Sequence, residues 1–215
     1  MIYKIGSKGD KIKEIQIVLN LYPDGIFGKL TEEAVMTYQR ENGLKVDGIV
    51  GEETYRKLFT NGFTKSKRKI TDIVVHCTAS RCDENLTVAD IRKIHKKNGW
   101  SDIGYHYVVR LDGIIELGRN VNISGAHVSG HNPHSIGIVY VGGLDKNGRA
   151  TDTRTEAQKK SLIDLLKALK KYYPSAKISG HRDFSPDLNH NGIIEPKEWI
   201  KQCPCFDAKT EYSSL

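Results

Sequence analysis

The chain changes texture partway along. In the first part, apolar residues recur at helical spacing. Ile12, Ile15 and Leu19 lie a turn apart, Val35 and Tyr38 follow a Thr31-Glu32-Glu33 start, and a third short pattern runs from Glu52 to Leu58. Thr31 reads as the N-cap of the second helix, because a hydroxyl there can accept from an otherwise orphaned backbone amide. Beyond Ile70, runs rich in Val and Ile read as strands at Ile73 to His76, His106 to Arg110, Ile114 to Leu117, Ile136 to Val141 and Lys177 to Ser179. Two helices are expected between them, Thr87 to Asn98 closed by Gly99, and Thr155 to Tyr173 with an apolar stripe of Leu162, Leu165, Leu166, Leu169 and Tyr173. The succession predicts an α/β domain, a mixed central sheet flanked by helices, behind a small all-α three-helix domain. The expected boundaries are 1–62, a basic linker at 63–69, and 70–215.

A length of 215 residues accommodates such a pair, each with its own core. With 38% hydrophobic and 27% charged residues the composition is that of a soluble globular protein, and no apolar run approaches membrane-spanning length. The start of the chain lacks the apolar stretch of a secretory signal, so synthesis in the cytoplasm and release by another route are expected. The net charge of +7 arises entirely beyond residue 62, since residues 1–62 hold nine basic and nine acidic side chains. Four of the later charges lie in Lys65-Ser-Lys-Arg-Lys69, read as a solvated linker. No nucleic-acid motif accompanies the basic run, and aromatic residues are not interleaved with it. The four cysteines form two close pairs, Cys77 with Cys82 and Cys203 with Cys205, a poor match to a disulfide-dense scaffold, so ligand or reactive roles take priority.

Asp24-Gly-Ile-Phe-Gly28 returns as Asp47-Gly-Ile-Val-Gly51, which implies a repeated local structure around Asp-Gly turns. Residues 5–60 thereby resemble the peptidoglycan-binding domain appended to many cell-wall hydrolases.

Three later segments hold metal-ligand chemistry: Ile73-Val-Val-His-Cys-Thr78, Gly180-His-Arg-Asp183 and Lys201-Gln-Cys-Pro-Cys-Phe-Asp207. None is a zinc motif by spacing alone, and a lone strand-end His is more often a structural residue. Taken with Gly99-Trp-Ser-Asp-Ile-Gly-Tyr-His106, Asp112-Gly-x-x-Glu-x-Gly-Arg119, Gly125-Ala-His127 and Ser135-Ile-Gly-Ile-Val-Tyr-Val-Gly-Gly143, they resemble the zinc amidase family. That family includes amidase-type phage lysozymes and peptidoglycan recognition proteins. The resemblance implies zinc ligands at His76, His181 and Cys203, with Cys205 the rival thiolate, and catalytic roles for Tyr105 and Lys201. His127 falls on a cleft histidine of the family, contacting substrate or the groups behind the ligands. Two imidazoles and a thiolate suit zinc and leave one tetrahedral position for water. Cys77 and Cys82 lie where some relatives have a short-loop disulfide, though reduced thiols are expected in a cytoplasmically made protein.

The implied function is that of a phage or prophage endolysin, cleaving the amide between N-acetylmuramic acid and L-alanine with zinc-activated water. The implied partner is bacterial peptidoglycan, with no nucleic acid, no membrane insertion and a monomeric chain. The alternatives are a recognition protein that binds without cutting and a zinc peptidase acting within the stem peptide. One departure from the family is an insertion, Asp187 to Glu198. Its Asp187, Asn189, Asn191, Ile193, Glu195 and Glu198 take positions 1, 3, 5, 7, 9 and 12 of an EF-hand calcium loop, with Gly192 at position 6. Calcium is therefore expected as a second ion.

Overall fold

The computed structural model describes residues 2–19, 21–61 and 65–215. It divides into two compact units, Met1–Thr64 and Lys65–Leu215.

In the first unit, α1 (Asp10–Val18), α2 (Lys29–Glu41) and α3 (Glu52–Asn61) pack around Ile12, Ile15, Phe27, Val35, Tyr55 and Leu58, all buried. The repeat is deeper than the five-residue phrase. Gln16 donates to Asp24, to the Ile26 carbonyl and to Thr31 while accepting from the Gly25 amide. Gln39 repeats every one of these bonds with Asp47, Ile49, Thr54 and Gly48. Gly25 and Gly48 have φ of 76° and 69°, which explains the glycine of each phrase. Thr31 is thus not an N-cap. The second helix starts two residues earlier behind Gly28, and the Thr31 hydroxyl is buried in the Gln16 network.

In the second unit, β1 (Asp72–Cys77), β3 (Tyr107–Val109), β4 (Ile115–Leu117), β5 (Ser135–Tyr140) and β7 (Lys177–Gly180) form one sheet in the order β4-β3-β5-β1-β7. β3, β5, β1 and β7 run parallel and β4 is antiparallel. β5 is buried throughout and β1 from Ile73 onward, as strands covered on both faces must be, hence their Val/Ile-rich sequences. α4 (Val88–Lys97) and α5 (Glu156–Tyr172) begin at Thr87 and Thr155 with reciprocal capping boxes closed by Asp90 and Gln158. Leu162, Leu165, Leu166 and Leu169 of α5 are buried as expected. The two-residue parallel pair β2 (Ser80–Arg81) and β6 (Gly143–Leu144) and the single-turn α6 (Ala208–Glu211) are too short to show a period in the sequence.

The basic run is not a solvated linker. Lys65, Lys67 and Lys69 are exposed, but the Ser66 hydroxyl donates to the Val121 carbonyl, and Arg68 donates to the carbonyls of Val121, Asn132, Pro133 and Ser135. A guanidinium with four carbonyl partners fastens this stretch to the second unit.

Candidate metal centre

Parallel register decides where the chemistry gathers. β1 and β7 pair with Val75 opposite Gly180, so the next residues, His76 and His181, emerge side by side at the carboxyl ends of their strands. That edge is where open α/β sheets place ligands. The third element arrives from the C-terminal tail. The Arg182 amide donates to the Cys203 carbonyl at 2.8 Å, and the Tyr140 hydroxyl donates to the Pro204 carbonyl at 2.7 Å. The Cys203 sulfur accepts from the Cys77 amide at 3.3 Å.

His76 Nδ1 lies 3.2 Å from His181 Nδ1 and 3.8 Å from the Cys203 sulfur, and one ligating atom from each residue falls within 4.8 Å of the others. Two imidazole nitrogens and a thiolate sharing a tetrahedral zinc at ordinary bond lengths stand about 3.3 Å (N to N) and about 3.6 Å (N to S) apart. The residues present therefore fit zinc. No other group of three His, Cys, Asp or Glu side chains converges among the described residues. His76 is fully buried. Burial, then the His127 and His181 rings and the Lys201 charge, hold it well below the usual imidazole range. Burial and then the Lys201 charge push His181 down to about 4. Both rings are neutral near pH 7, with lone pairs free for a cation.

Gly180 is required by packing: a Cβ there would lie 2.4 Å from Pro204 Cδ. Gly180→Ala is expected to push the Cys203-Pro204 segment outward at a cost of about 1–3 kcal/mol, read as a lowered melting temperature.

Tyr105, just before β3, is half-buried with its ring 5.1 Å from the His76 ring. Burial pushes its hydroxyl up, so it stays a proton donor at neutral pH. Lys201 is exposed, and its charge reaches both histidines. Arg182 stacks on Trp199 at 4.1 Å and ties down the segment leading to Lys201. His127 is 7% exposed and sits behind His76, with His127 Nδ1 3.0 Å from His76 Nε2. Burial accounts first for its lowered pKa of about 3.

All four cysteines are free thiols. Cys77 faces Cys205 at 3.8 Å rather than Cys82, and Cys205, the rival ligand, points to Cys77 and the Gly143 carbonyl. In the insertion, Asp187 accepts from the amides of Asn191 and Gly192, Asn191 Oδ1 accepts from Ile193, and buried Glu198 accepts from Leu188, Asn189 and Glu195. Asn189 donates to Glu195, which also pairs with Lys197. The loop is thus closed by its own hydrogen bonds.

A largely parallel sheet with two neutral imidazoles at the ends of β1 and β7, met there by a thiol from the C-terminal tail, defines an α/β protein with a candidate metal centre. A family model for N-acetylmuramoyl-L-alanine amidase matches residues 66–204, and one for a peptidoglycan binding domain matches residues 8–58. The endolysin of Klebsiella phage KP32 is 38% identical over 147 residues, 68% of this chain and 87% of that protein. The endolysin of Escherichia phage T7 is 38% identical over 144 residues, 66% and 86% of the two chains. Among solved structures, the endolysin N-acetylmuramoyl-L-alanine amidase LysCS from Clostridium intestinale URNW aligns with a TM-score of 0.51 at 30% identity, covering 70% of this chain and 88% of that one. The chain belongs to the N-acetylmuramoyl-L-alanine amidase family and carries an N-terminal peptidoglycan-binding domain. Among the described residues, no helix is long and apolar enough to cross a membrane.

Proposed function

We propose that this amidase is zinc-dependent, with His76, His181 and Cys203 as ligands and with Tyr105 and Lys201 acting on the substrate amide. The convergence of the three ligating atoms within 4.8 Å carries the reading. What zinc supplies there is a water acidic enough to attack near neutral pH and a Lewis acid beside the carbonyl. The residues of the chain do the rest. As the carbonyl joining the muramic lactyl group to L-alanine becomes tetrahedral, the Lys201 ammonium meets negative charge growing on its oxygen, a charge the flat substrate lacks. Tyr105, whose hydroxyl is protonated at neutral pH and pushed further up by burial, donates a hydrogen bond at the same centre. In this reading the first unit holds the chain on the wall, and the protein acts there as a monomer after release.

Purified sacculi digested with and without a zinc chelator test this. The expected products are muramic acid with a free lactyl carboxylate and stem peptides with a free N-terminal alanine, formed only without chelator. New termini inside the stem peptide would make the protein a peptidase, and binding without cleavage would make it a recognition protein.

A calcium ion is proposed at residues 187–198, supported by the twelve-position spacing and by carboxylate oxygens with lone pairs to spare beyond their amide partners. With only Asp187, Glu195 and Glu198 supplying negative charge, and Lys197 offsetting part of it, affinity in the millimolar range is expected. Calorimetry should show heat, and melting temperature should rise, on adding millimolar calcium. The absence of both would remove this ion and leave the amidase reading intact.

A further inference from the structure

The ring of His127 occupies a seat made for it. A Cβ on Gly125 would lie 2.5 Å from its Cδ2, and one on Gly137, inside β5, would lie 2.6–2.8 Å from three of its ring atoms. Only glycine at both positions leaves room for an imidazole there. The backbone is fixed as well, since Asn132 Oδ1 accepts from the amides of His127 and Val128 at 2.8 and 2.9 Å. Within the seat each ring nitrogen has one partner, His76 Nε2 at 3.0 Å from Nδ1 and the buried Ser135 hydroxyl at 3.2 Å from Nε2.

We infer that His127 is a positioning residue that fixes the tautomer and orientation of His76, so that His76 presents Nδ1 to the metal. The inference rests on the zinc reading above. His76 Nδ1 is the nitrogen that faces His181 and Cys203, so it must be unprotonated to serve as a ligand, and the ring proton then resides on Nε2. That proton needs an acceptor in a buried site, and His127 Nδ1 is the atom within reach. His127 in turn keeps its own proton on Nε2, where the Ser135 oxygen accepts it. A metal-bound imidazole whose other nitrogen is held this way is oriented and made more basic, and losing such a partner typically costs about 10- to 100-fold in metal affinity.

His127→Asn retains an acceptor oxygen near the position of Nδ1, whereas His127→Leu fills the seat without one. Zinc affinity is measured by chelator competition on the full chain, with the visible spectrum of the cobalt-substituted protein as a second readout and melting of the zinc-free protein as the control for folding. The expected result is a loss of about 10- to 100-fold for His127→Leu with an altered cobalt spectrum, and near-native behaviour for His127→Asn. Native zinc affinity and cobalt spectrum in a folded His127→Leu overturn the inference. Should His127→Leu fail to fold, the ring nitrogens of the unaltered zinc protein decide by nitrogen-15 chemical shift. Protonated Nε2 on both His76 and His127 supports the relay, and a proton on His127 Nδ1 overturns it. An unaltered protein that binds no zinc defeats the underlying metal assignment instead, a result distinct from either.

Discussion

Cys203→Ser is expected to leave the protein folded, without zinc and without measurable hydrolysis of peptidoglycan. A serine hydroxyl is a poor zinc ligand at neutral pH, because it stays protonated where a coordinating thiol gives up its proton. Two imidazoles alone do not complete a catalytic site, so the loss of affinity should exceed the roughly 10- to 100-fold that losing an outer partner costs. The fold should survive. The tail is held by the Arg182 amide on the Cys203 carbonyl, the Tyr140 hydroxyl on Pro204, and Arg154, which pairs with Glu211 and stacks on Phe206 at 3.2 Å. None of these uses the sulfur. Metal analysis after gel filtration and turbidity of a sacculus suspension check the two losses together. Retained zinc with retained clearing would show that Cys205 or another group completes the site.

The same tail shows what a sequence can and cannot disclose. β1 and β5 were readable because strands buried on both faces need apolar residues at nearly every position, and α5 because its leucines repeat with the helical turn. His76 and His181 lie 105 residues apart in sequence, and their meeting depends on the pairing of Val75 with Gly180, which no local pattern encodes. Only the family phrases brought them together in advance. The sequence leaves His127 open between substrate and the groups behind the ligands for a related reason. Its neighbours Gly125 and Gly137 were visible in the sequence, but that both glycines flank one ring is a tertiary fact. Gln16 and Gln39 were overlooked because a buried amide whose partners lie eight to fifteen residues on has no period, although the 23-residue repeat contained them in full view. The basic run was misread because charge density suggests solvation, while Arg68 finds four carbonyls that only the folded unit presents.

Lys201→Ala should separate metal binding from catalysis. The side chain is exposed, so its removal leaves no cavity and no buried partner unsatisfied. Its positive charge lowers the pKa of His76 and His181, which means that it also opposes a divalent cation held by them. Zinc should therefore bind the variant as tightly as the unaltered protein or more so. Turnover should behave oppositely. A group that meets charge developing only in the transition state contributes to kcat rather than KM, and removing one such donor costs about 100- to 1,000-fold. Lys201→Arg keeps the charge but spreads it over a planar fork, so partial recovery is expected. Steady-state kinetics on a soluble muropeptide, paired with chelator competition, read both quantities from one preparation. A fall in zinc affinity that tracks the fall in kcat would mean that Lys201 supports the fold of the tail, and an unchanged kcat with full zinc would remove it from the chemistry.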